Sequence, residues 1–105
     1  MKVIIDNTVH KSILDFYEYA KTKYQTLDSL TVVRKIKRIY NSLERLEIYA
    51  FSCPTPRLRK DWTELGYKEY IVEDFHFAFQ IYKDSQSDEY YVYVHDVCHS
   101  LLYRE

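Results

Sequence analysis

At 105 residues with a formal net charge of −1, the chain has the size of one domain, able to bury roughly 60–70% of the surface its unfolded form exposes. The balanced charge excludes a general attraction to phosphate, so any nucleic-acid contact must come from a local patch. No apolar run approaches the roughly 18 residues of a membrane span, and the opening Met1-Lys2-Val3-Ile4-Ile5-Asp6 reaches an acid before a signal-peptide core develops. The expected compartment is the cytoplasm, with no membrane association and with Cys53 and Cys98 as free thiols.

The first apolar run, Val3 to Ile5, is followed by Asp6-Asn7, which suits an edge strand leading into a helix cap. Val9, Ile13, Tyr17, Ala20 and Tyr24 then recur every three or four positions, predicting one amphipathic helix to about Tyr24. A break at Thr26-Leu27-Asp28-Ser29 offers Asp28 or Ser29 to the free amides of a second helix. That helix is expected to carry Val33, Ile36, Tyr40, Leu43 and Ala50 on one stripe, flanked by Ile39 and Leu46. So short a connection predicts an antiparallel helical hairpin.

Pro54 and Pro56 end the helical region, because proline lacks the amide donor and biases its predecessor toward extended backbone. A loop carrying Arg57, Arg59 and Lys60 is expected to run on to Trp62, and the only glycine, Gly66, marks a turn before Tyr67. Phe75, Phe77, Phe79 and Ile81 alternate with His76, Ala78, Gln80 and Tyr82, the period of a strand. Asp84 to Asp88 reads as a polar hairpin turn into a last strand, Glu89 to His99. In that strand Tyr90, Val92, Val94, Asp96 and Cys98 oppose Tyr91, Tyr93, His95, Val97 and His99, and two partly apolar faces suit a central strand. The expected fold is a single α+β domain over residues 1–105: an N-terminal strand and a helical hairpin packed on a C-terminal antiparallel β-meander, with Phe75, Phe77 and Phe79 in the core.

Three groups of residues carry possible chemistry. Arg57, Arg59 and Lys60 could hold phosphates, arginine through its bidentate fork; the plainer alternative is a solvated loop balanced by Asp61 and Glu64. His95 and His99 are four apart and are expected on one face, where an imidazole could move a proton to or from a ribose hydroxyl. Alternation would send Cys98 to the opposite face, and a fourth ligand is not evident, so no metal or other cofactor is expected. Among twelve tyrosines, Tyr67, Tyr70, Tyr82, Tyr90, Tyr91 and Tyr93 could stack on bases, anchor a partner, or fill the core. There is no glycine-rich phosphate loop and no nucleophile elbow.

The basic run Pro56-Arg57-Leu58-Arg59-Lys60, the entry Leu65-Gly66-Tyr67-Lys68, the aromatic strand Phe75 to Tyr82 and the ending Val97-Cys98-His99 together resemble the RelE/ParE family of bacterial toxins. In architecture the resemblance covers nearly the whole chain; in pattern it covers some forty residues. It implies the toxin of a type II toxin–antitoxin module, held inactive by a cognate antitoxin. Members that cleave messenger RNA do so in the ribosome without a metal, which implies His99, Tyr103 and His76 as proton-transfer residues and Arg57, Arg59 and Lys60 as phosphate ligands. His76 stands where many members have arginine, Ser100-Leu101-Leu102 stands where many have basic residues, and the chain is not strongly basic. These departures point equally to action on DNA gyrase, as in ParE-like members, or to an attenuated domain that only binds protein.

Overall fold

A computed structural model describes residues 1–23 and 28–100. The chain order is β1 (Lys2–Ile5), α1 (Asn7–Lys23), α2 (Ser29–Glu44), α3 (Leu46–Tyr49), a 3₁₀ turn (Ala50–Ser52), α4 (Lys60–Glu64), β2 (Lys68–Val72), β3 (Phe75–Lys83) and β4 (Tyr90–His99). The fold is α+β, as the sequence predicts. The expected helix end at Tyr24 and the break at Thr26-Leu27 lie outside the described residues.

Both long helices start on aspartate. Asp6 accepts from the amide and the hydroxyl of Thr8, and Asp28 Oδ1 accepts from the Thr31 amide at 2.7 Å, so each carboxylate satisfies a donor that the first turn leaves free. In α1 the buried residues are Val9, Ile13, Tyr17 and Ala20, the expected stripe. In α2 Val32, Ile39 and Leu43 are buried and Ile36 and Tyr40 pack partly buried against the core, so of the expected stripe only Val33, 47% exposed, faces outward. The helix breaks at Arg45, and a separate turn, α3, carries Leu46 inward. The one helix expected to carry Ala50 is therefore two helices and a 3₁₀ turn.

The sheet has four strands in the order β1-β4-β3-β2. The antiparallel run β2-β3-β4 is the expected meander. To it β1 adds in parallel along β4, Lys2 opposite Tyr91 through Ile5 opposite Val94, so β1 is an edge strand and β4 is central. Gly66 adopts φ +79° in the turn before β2, a left-handed conformation that glycine takes without Cβ strain.

The core lies between this sheet and the helices. Phe75, Phe77 and Phe79 join Val92 and Val94 from the sheet and Val9, Ile13, Ile39, Leu43 and Leu46 from the helices in one buried cluster. Burying each large side chain contributes roughly 1.5–3 kcal/mol, so this aromatic strand is the main anchor of the fold. Helix α1 lies on β4 and α2 reaches β2, and the two helices meet where His10 Nδ1 and the Tyr40 hydroxyl are 2.6 Å apart and the rings stack.

The outer face of the sheet is half covered by the segment between α3 and β2. Glu69 donates its amide to the Pro54 carbonyl, and the Trp62 indole donates to Asp96 Oδ2 at 3.0 Å. Ala78, on that face, has no exposed surface. Part of this cover is helical: the expected loop to Trp62 ends at Arg59, and Lys60 to Glu64 form α4.

Candidate functional site

A β-bulge decides which residues of β4 face which way. Ala78 pairs with Asp96 and Phe79 with Val94, leaving His95 as the extra residue. The alternation therefore changes phase: Val92, Val94, Val97 and His99 oppose the core residues Ile81, Phe79, Phe77 and Phe75, while Tyr91, Tyr93, Asp96 and Cys98 oppose the outer-face residues of β3. The expectation that His95 and His99 share one face is overturned. His99 lies on the helix side, stacked on Phe16 with centroids 4.2 Å apart and edge-on to Phe75. His95 lies on the outer side, stacked on Tyr67 at 4.8 Å.

Because β1 pairs with β4 only as far as Val94, no described strand flanks β4 from Asp96 to His99 on the edge away from β3. A groove of about 550 Å³ runs along this stretch. Ser12, Asp15, Phe16 and Tyr19 of α1 form one wall, Arg59 stands on the other, and Val97, Cys98 and His99 lie between. Ser12, the adjacent pair Asp15 and Phe16, and Tyr19 follow at intervals of three or four residues and so share a face.

Arg59 is fixed by its neighbours. Its Nε and Nη2 donate to the two oxygens of Asp61 at 2.8 and 2.6 Å, and its guanidinium lies 4.3 Å over the Trp62 ring. The bonds to Asp61 push its pKa further above the ordinary arginine value, so it stays cationic, with much of that charge already answered. Asp96 in turn accepts from both the Trp62 indole and the Val97 amide, the latter at 2.8 Å. Trp62 thus ties the arginine to the strand that carries His99. Burial holds the His99 imidazole below its ordinary pKa, which favours the neutral ring, able to accept a proton. Burial also pushes the neighbouring Cys98 thiol up, with Arg59 opposing, so the thiol form is favoured.

Of the six residues named from sequence, His99 and Arg59 meet at this groove. Arg57 and Lys60 do not line it, Lys60 being the first residue of α4. His76 lies on the outer face, its Nδ1 2.9 Å from Oε1 of Glu69, which is 4% exposed. Tyr103 is outside the described residues. Sequence reasoning missed Ser12, Asp15, Phe16 and Tyr19, which recur at helical spacing beside the buried stripe of α1; that spacing was the available signal.

A second cluster occupies the open half of the outer face. Tyr82 donates to Gln80 Oε1 and stands 2.9 Å from His95 Nε2. Tyr93 packs at a tilt against His95 and donates to Asp6 Oδ1 at 2.6 Å, while Tyr82 and Tyr91 stack at 5.5 Å. Burial lowers the His95 pKa. These hydroxyls and rings are bonded to one another, so this lattice reads as packing. Among the described residues no group of three His, Cys, Asp or Glu side chains could hold a metal ion, and no helix is long and apolar enough to cross a membrane.

No protein-family model, curated protein or solved structure matches the chain.

Proposed function

We propose that this chain is the toxin of a bacterial type II toxin–antitoxin module of the RelE/ParE kind, acting as a ribosome-dependent messenger-RNA endonuclease and neutralised by a cognate antitoxin. The reading takes α1 and α2 as an antiparallel hairpin laid over the C-terminal meander. The observation that carries it is the groove itself, where a neutral-leaning imidazole, His99, and a permanently charged guanidinium, Arg59, arrive from opposite sides of the sheet. In this reading the RNA backbone lies along β4. His99 takes the proton of a ribose 2′-hydroxyl, the 2′-oxygen bonds to phosphorus, and the 5′-oxygen leaves, producing a 2′,3′-cyclic phosphate. Arg59 offsets the charge that builds on the phosphoryl oxygens. Protonation of the departing oxygen falls to Tyr103, the residue the family resemblance implies.

A second reading is favoured by the pairing of the charged groups. Arg59 is already bound by Asp61, and His76 is held by buried Glu69, which suits a domain that works by binding protein, whether DNA gyrase or only its antitoxin. Inducing the chain alone in a bacterial host and mapping transcript 5′ ends separates the two. The nuclease gives new ends at fixed positions within codons, lost in His99→Ala while antitoxin binding persists. Growth arrest without new ends supports the gyrase target, and no arrest supports an attenuated binding domain.

A further inference from the structure

We infer that the α1 wall of the groove is a base-recognition subsite, and that the base it reads is guanine; the inference rests on the nuclease reading of the same groove. Tyr19 and Asp15 are four apart on α1, hence neighbours on one face, with Ser12 a turn further on, and all three line the groove. Tyr19 is 61% exposed, leaving ring surface on which an unpaired base can stack. One end of the Lys23 side chain sits 5.8 Å from its centroid, placing a cation at the rim.

Asp15 supplies the discrimination. Unlike Asp61 and Asp96, whose oxygens are taken by Arg59, Trp62 and Val97, its carboxylate makes no hydrogen bond or ion pair with any described residue. A carboxylate is an acceptor only. Guanine alone among the four bases presents two adjacent donors, N1–H and the N2 amine, which match the two carboxylate oxygens; the Ser12 hydroxyl can then donate to O6. Adenine and cytosine set a ring acceptor beside their single amine, and uracil flanks its one N–H with two carbonyls, so each brings an acceptor against the carboxylate. A site built to pair such donors rejects bases lacking them.

An extended peptide lying beside β4 is the competing occupant, and one contact opposes it. A strand neighbour needs the outward amides of β4, yet the Val97 amide is already taken by its neighbour Asp96. A flat heteroaromatic ring makes no such demand.

The test titrates the 3′-monophosphates of guanosine, adenosine, cytidine and uridine into ¹⁵N-labelled protein, alongside Asp15→Asn and Tyr19→Ala, both at exposed positions. The expected result is shifts centred on the groove, guanosine binding at least fivefold tighter than the others, loss of that preference in Asp15→Asn, and weaker binding of all four in Tyr19→Ala. Equal affinity for the four, or a guanine preference that survives Asp15→Asn, overturns the subsite while leaving the nuclease reading intact. No nucleotide binding in the groove at millimolar concentration also overturns the subsite, whereas the nuclease reading stands or falls on the transcript 5′ ends.

Discussion

Asp6 holds two elements together with one carboxylate. It caps α1 through Thr8 and accepts from Tyr93 of β4, and these hydrogen bonds, Thr8 first, lower its pKa from 3.8 to about 2. The folded carboxyl therefore ionises more readily than the unfolded one, so its stabilisation is complete above the unfolded value and disappears as pH falls from 3.8 toward 2. Asp6→Asn is expected to melt below wild type at pH 7, with the gap closing across that acid window. Melting curves of both proteins at stepped pH check this; a gap that stays constant down to pH 2 opposes it. His95 and His99 act in the neighbouring range. With folded values below the ordinary 6.5, the unfolded chain binds protons first, and stability declines as pH drops below 6.5 before the carboxyl effect begins.

Between elements, the Trp62 indole joins the short helix α4 to β4. Trp62→Phe keeps a ring under Arg59 but removes the donor to Asp96, and a partly buried carboxylate oxygen left without its partner costs about 1–3 kcal/mol. Urea unfolding followed by circular dichroism is expected to show that loss with an unchanged slope; a difference below a few tenths of a kcal/mol would remove Trp62 from its bracing role. The same level shows what the sequence made legible. Strict alternation in Phe75 to Ile81, the 3.6-residue recurrence in α1 and the cap at Asp28 are local signals, and each names its element without outside help. Three features answered instead to tertiary contacts. The bulge at His95 has no residue-type signature, yet it reverses the facing of every residue after it, His99 included. The break at Arg45 sits in a sequence with ordinary helix formers on both sides, so nothing local announced the end of α2. The groove depends on how far β1 runs beside β4, which no pattern in either strand records. The basic run was visible as composition, but only Arg59 of it reaches the groove, because α4 starts at Lys60 and carries the chain away.

For the molecule as a whole, the aromatic strand sets stability. Phe77 has no exposed surface and lies in the cluster that joins sheet and helices, so Phe77→Ala is expected to cost about 3–5 kcal/mol, a large share of the 5–15 kcal/mol typical of a domain. Chemical denaturation read by both circular dichroism and Trp62 fluorescence is expected to lose stability equally by the two probes, because one cluster serves both layers. Probes that diverge would mean that α4 and its indole unfold separately. The position of β4 between β1 and β3 has a further consequence for synthesis. While the chain is being made, β1 emerges early and waits without a neighbour, β3 has only one flank, and α1 and Arg59 stand on either side of a gap. The arrival of β4 supplies the missing neighbour, the inner valines of the core and the histidine of the groove in one step. Translation of this strand is thus the step on which the fold waits: neither the sheet nor the groove can close until β4 has been made.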